Sequence, residues 1–181
     1  FSGFYRTGAQ AGWISNQVGS VAWVVNPGDQ TMTEVDVPAR KMLRTLNIAY
    51  PGQHIEQSPT GERIYVLGDG RSGGVPPFVR VLEPSGNLVR HITYNLGQPA
   101  SILVHADRAY LTDFQRGELV VYRDGSDPSE LDRFSLGLGG PTSLQTDGHR
   151  LYIVMETAGE VAVVDMATLC LVRRIPVGKS P

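Results

Sequence analysis

Four histidines, His54, His91, His105 and His149, offer the most direct chemistry in this sequence, because imidazole is a common metal ligand. Their spacing argues against a shared site. Read in register with the repeat described below, His105 and His149 fall beside Thr60 and Glu62, in a solvated turn between two strands. His91 falls on an outer strand, and only His54 opens an inner one. Three carboxylates, Asp36, Glu83 and Asp165, recur at one repeat position, where an acid accepts backbone N–H groups of a turn rather than pairing for acid–base work. The stretch Asp69-Gly70-Arg71-Ser72-Gly73-Gly74-Val75-Pro76-Pro77 lacks the Lys-Ser/Thr pair of a phosphate loop, and no Gly-x-Ser-x-Gly elbow occurs. Cys170, between Leu169 and Leu171, is expected on an outermost strand, buried or half-buried and unreactive.

The stretch Asp69–Pro77 is also the one clear departure from the repeat, and binding residues concentrate on loops held by a rigid scaffold. Asp69 and Arg71 are its charged residues. Asp113, Arg116 and Glu156 occupy the matching loop of later repeats. With His54 they form the candidate ligand- or partner-binding set, a polar mouth on one face. The competing expectation is a tolerated Gly-rich insertion, since added loop length costs little closure entropy. No catalytic residue, metal ligand or cofactor is expected.

These side chains need elements to position them. The chain has 181 residues, with 16 Lys+Arg against 18 Asp+Glu and a formal net charge of −2, which disfavours nucleic-acid binding. It is 41% hydrophobic and 19% charged, too apolar for a disordered chain, yet no apolar run reaches membrane-spanning length. Its 21 Gly and 12 Pro are spread along the chain and mark many turns. A single Cys excludes an internal disulfide.

A turn followed by an aromatic residue and an apolar run occurs four times. The copies are Trp23-Val24-Val25-Asn26, Tyr65-Val66-Leu67-Gly68, Tyr110-Leu111-Thr112-Asp113 and Tyr152-Ile153-Val154-Met155. Their aromatics are 42, 45 and 42 residues apart. Thirteen residues beyond Trp23, Tyr110 and Tyr152 stand Asp36, Arg123 and Asp165; Glu83 follows Tyr65 after 18, the excess lying in Asp69–Pro77. Each unit carries four strand-like runs, in the fourth about 142–146, 150–155, 160–165 and 169–176, bounded by turn residues. Arg40–Asn47, Leu88–Asn95, Leu131–Leu138 and Leu169–Val177 align as the fourth strand. Four antiparallel strands every 40–45 residues is the period of a β-propeller blade. The expected fold is all-β, a single propeller domain or fragment over residues 1–181, with blades near 11–52, 53–98, 99–140 and 141–181.

These motifs resemble the YVTN β-propeller repeat of secreted and surface proteins. The fourth unit carries the likeness best, in Tyr152-Ile153-Val154, Val161-Ala162-Val163-Val164-Asp165 and Ile175-Pro176-Val177-Gly178. The first adds Trp23-Val24-Val25-Asn26 and Val35-Asp36-Val37; in the third, Arg123 replaces the acidic closer. The resemblance implies an extracytoplasmic, periplasmic or secreted scaffold that binds a protein partner or ligand on its loop face. It equally admits a propeller subunit of an enzyme, like an amine-dehydrogenase heavy chain or a cyclic-peptide lyase, with the site at the channel mouth. Four repeats fall below the usual blade number. The start at Phe1 suggests a signal peptide already removed, and the junction-like Ile175–Pro181 a piece of a longer chain. A fragment of a larger ring, self-association of two chains into eight blades and a closed four-blade ring all remain open.

Overall fold

Short runs of β-branched and aromatic residues, closed every few positions by Gly, Asp or Asn, favour strands joined by tight turns. The computed structural model describes residues 13–70, 74–93, 97–124 and 129–178, and shows no helix among them. Fifteen strands follow one another in chain order: β1 (Val21–Asn26), β2 (Thr31–Asp36), β3 (Lys41–Asn47), β4 (His54–Gln57), β5 (Ile64–Gly68), β6 (Phe78–Leu82), β7 (Leu88–Ile92), β8 (Pro99–His105), β9 (Arg108–Asp113), β10 (Glu118–Arg123), β11 (Glu130–Ser135), β12 (Pro141–Thr146), β13 (Arg150–Met155), β14 (Glu160–Asp165) and β15 (Leu171–Pro176). They form antiparallel meanders: one three-stranded sheet, β1-β2-β3, and three four-stranded sheets, β4-β5-β6-β7, β8-β9-β10-β11 and β12-β13-β14-β15. The fold is an all-β propeller. By contacts the chain divides into two units, Phe1–Tyr94 with Gly125–Asp127, and Asn95–Asp124 with Pro128–Pro181.

In the first unit the inner strand expected for the first blade is not a regular strand. It survives as bridges from Ile14 to Val24 and from Val18 to Val21. Side chains take over ladder bonds there. Ser15 Oγ accepts the Trp23 amide, while the Asn16 amide group pairs both ways with the Gln57 backbone on β4. The core joins Trp23, Val25 and Met32 of the first blade to Ile55, Ile64, Val66 and Leu82 of the second. Alternation along each strand selects this set, and burying one such side chain is worth about 1.5–3 kcal/mol.

The second unit repeats the device. Tyr110, Leu119 and Val121 of the sheet β8–β11 pack against Leu144, Leu151, Ile153, Ala162 and Val164 of the sheet β12–β15. The outermost strands β3, β11 and β15 are largely exposed. Arg44–Glu34, Arg133–Glu118 and Arg174–Glu160 pairs tie them to the third strand of their blades.

The repeated acids close turns. Asp36 accepts the Ala39 amide, Asp165 accepts the Ala167 and Thr168 amides, and Glu83 accepts from Ser85 and Asn87 side chains. Two expectations need correction. Leu138 is not on a fourth strand: β11 ends at Ser135, and Gly137, at φ 87°, turns the chain away. Cys170 is exposed and precedes β15, because Leu169, at φ 54°, turns the chain before pairing resumes at Leu171.

Candidate functional site

A meander sends alternate connections to opposite ends of its strands. In the second unit the loop 114–117 between β9 and β10, the link 136–140 between β11 and β12, and the loop 156–159 between β13 and β14 share one end. Backbone bonds stitch them together. The Phe114 amide donates to the Gln98 carbonyl, Leu136 to Gly117, Glu156 to Gly140 and Thr157 to Gly139. The result is a rigid loop face. It holds an open cleft of about 420 Å³ lined by Gln98, Phe114, Gln115, Leu138, Gly140 and Thr157.

Gly140 makes the cleft possible. Its φ is 60°, and a Cβ there would stand 2.7 Å from Phe114 Cε2. A side chain would therefore be strained and would push the ring aside. Leu138 is 96% exposed beside that ring. An exposed leucine and a half-buried phenylalanine among two glutamines and a threonine suit an extended ligand with alternating apolar and amide character. Composition hid Phe114 and Leu138, because neither departs from the repeat; the Gly-Leu-Gly-Gly run at 137–140 was the available signal.

The residues singled out from sequence take different places. Asp113 is fully buried at the base of the loop face. Its carboxylate accepts the amides of Gly97, Gln98 and Arg116, at 2.6, 2.9 and 3.1 Å, which makes it a tie within the blade. Gly97 is needed for this approach, since a Cβ there would lie 2.8 Å from Asp113 Oδ1. Arg116 and Glu156 are exposed on the same loops, at the rim. Asp69 is half-buried in the first unit, and Arg71 lies outside the described residues. The structure groups Asp113, Arg116 and Glu156 on one face of the second unit. The far end of the long insertion is anchored, with Val75 packed on the first unit's core.

His54 is not an open channel-lining group. It is buried, with its ring stacked on half-exposed Trp13 at a centroid distance of 4.8 Å. Burial lowers its pKa to about 4, so the ring is neutral. Two residues along β4, burial raises the Glu56 pKa to about 7, partly offset by the Asn16 amide it accepts. Sequence reading passed over Glu56, because nothing in its neighbours announces burial. Elsewhere in this unit, Arg80 lies 5.2 Å over the Tyr50 ring and donates to the Ile48 carbonyl. The His91 ring contacts Tyr50 and Phe78.

At the opposite end of the second unit His149 occupies the turn between β12 and β13, whereas His105, expected in a turn, is the last residue of β8 and pairs with Arg108. Both line one shallow cleft of about 340 Å³ with Asp107, Arg108, Tyr110 and Asp165. Asp165 is occupied by its own turn, and Arg108 donates to the Met166 carbonyl. Among the described residues no three His, Cys, Asp or Glu side chains converge as a metal site.

No family model matches the sequence, and no curated protein matches it. Solved structures do. The chain superposes on hydrazine synthase from Kuenenia stuttgartiensis with a TM-score of 0.78 at 18% identity, covering 93% of this chain and 49% of that one. It superposes on a protein from Lactobacillus plantarum with a TM-score of 0.72 at 14% identity, covering 94% and 56%. A chain of the nidogen/laminin complex gives 0.69 at 15% identity, covering 90% and 62%. At these identities the likeness is one of fold. The chain spans roughly half to three fifths of the lengths it matches.

Proposed function

We propose that this protein is a binding scaffold, a β-propeller that holds a protein partner or ligand on its loop face. The cleft bounded by Phe114, Leu138 and Thr157 carries the reading, because an almost fully exposed leucine beside an aromatic ring on stitched loops is a ready contact surface. Arg116 and Glu156 supply a charged rim of both signs. The chain of the nidogen/laminin complex, which this protein resembles in fold, supports the same reading by analogy. The YVTN-like motifs at Tyr152–Val154 and Val161–Asp165 support assignment to that repeat type, and with it an extracytoplasmic location.

A photo-crosslinking residue at position 138, introduced into the full chain in its native cells, tests this. The expected result is a discrete adduct of defined mass that is lost in Phe114→Asp and absent when the crosslinker replaces His149 at the opposite end. No adduct at 138, or equal labelling at 138 and 149, overturns it.

A second reading makes the propeller part of an enzyme. It is supported by the likeness to hydrazine synthase and by the neutral His54 two residues from a carboxyl that titrates near neutrality, Glu56.

A further inference from the structure

The cleft on the second unit's loop face has opposite charges on its two sides. Gln115 lines it, and Arg116 follows on the same loop between β9 and β10. Thr157 lines it too, and Glu156 precedes it on the loop between β13 and β14. Both charged residues are exposed. The Arg116 side chain is laid along the incoming link. A Cβ at Gly97 would stand 2.9 Å from its Cγ and 3.3 Å from its Nε. That path sets it beside Gln98, another lining residue. No described residue pairs with the Glu156 carboxylate.

Between these charges the floor is uncharged, and Gly140 forms a notch in it. A Cβ there would meet Phe114 Cε2 at 2.7 Å and Thr157 Oγ1 at 3.1 Å. An aromatic edge and a hydroxyl thus face each other across a position that carries no side chain. Leu138 stands beside them, 96% exposed. The Thr157 hydroxyl and the Gln115 carboxamide are used by no described residue. Each of these groups both donates and accepts, which matches the alternating N–H and C=O groups of a main chain.

We propose that this cleft takes an extended peptide segment of a partner protein, with an acidic residue beside Arg116, an apolar residue on Phe114 and Leu138, and a basic residue beside Glu156. The proposal rests on the loop-face reading and gives that face its ligand class. Charge selects the occupant. A nucleic-acid strand or an anionic membrane surface carries one sign, which Glu156 repels. A neutral glycan offers no counterpart to either charge and no apolar side chain for Leu138. A peptide supplies both signs, an apolar anchor and paired main-chain groups in one extended line. Opposite charges on the two sides of an apolar anchor favour one order of partner residues and disfavour partners of a single sign.

Panning the full chain with a phage-displayed library of short random linear peptides tests this. The expected enriched sequences place an apolar residue between an acid on one side and a base on the other. Arg116→Glu is expected to replace the acid by a second base, and Glu156→Arg to replace the base by a second acid. Both changes lie at exposed positions, and an unchanged far-UV circular dichroism spectrum is expected for each. A peptide selected on the wild type is expected to bind either variant about 3- to 10-fold more weakly by calorimetry. Enriched peptides without flanking charges overturn the proposal, and so do peptides that keep the same charges on both variants. Absence of any enrichment on the wild type also overturns it. If the adduct at position 138 still forms in that case, the loop-face reading stands and its ligand belongs to another class; if neither is seen, both fall.

Discussion

Asp113, a candidate ligand- or partner-binding residue by sequence, has its carboxylate taken up by the architecture of its blade. Its buried carboxylate takes three part-buried backbone amides of the incoming link and the loop. Asp113→Ala is expected to cost about 1–3 kcal/mol in urea unfolding, the order for losing charge-assisted bonds to part-buried amides. Asn26 stands at the matching position of the first blade, where its amide nitrogen donates to the Thr31 and Thr33 hydroxyls. The sequence shows the polar residue at the end of this strand, but only the path of the incoming link shows that it faces inward. His54 and Glu56 act on stability with opposite signs. His54 has a folded pKa of about 4 against 6.5, so the unfolded chain holds the extra proton between these values. Its contribution is present above pH 6.5 and is lost as pH falls toward 4. Glu56 is held at about 7 against 4.5, so the folded chain keeps the proton, and that contribution is lost as pH rises from 4.5 through 7. Glu56→Gln, which stays neutral, is therefore expected to stabilise the protein above pH 7 by about 1–3 kcal/mol and to have little effect near pH 4.5, measured by denaturant midpoints at both.

At the scale of elements, strand periodicity made the middle strands of each blade legible. β9, β10, β13 and β14 have one face of Val, Leu, Ile and Tyr that meets a neighbouring sheet, and alternation betrays it. Outer strands were harder. Leu131–Leu138 reads as one apolar-periodic run, but Gly137 ends it and frees Leu138 for the loop face. The first blade's inner segment keeps part of the expected pairing, with backbone bonds between Ser15 and Trp23 and between Trp13 and Val25, while the Ser15 hydroxyl and the Asn16 amide group add side-chain bonds that break up a regular strand. Gly140→Val tests the loop face as an element. Its positive φ and the contact with Phe114 predict a loss of about 1–3 kcal/mol, the scale of local backbone strain, together with loss of the adduct at position 138. A stable variant with unchanged labelling would show that the Phe114 position is immaterial.

At the scale of the molecule, the repeat of 42–45 residues was legible because an aromatic recurs at one strand position, and at Trp23 and Tyr110 it lies between neighbouring sheets of its unit, where a large flat side chain fills the gap. The loop-face cleft was not, because Phe114 and Leu138 come together only once three loops from different parts of the chain are brought to one end. The blade is the repeating unit, with middle strands paired on both sides and an outermost strand whose far edge is open within its sheet. Amide hydrogen exchange of the full chain reads this strand by strand. The predicted result is a periodic pattern: slow exchange in β1–β2, β5–β6, β9–β10 and β13–β14, and faster exchange in β3, β7, β11 and β15. Protection confined to a single block of sequence, or strongest in the outermost strands, would contradict it.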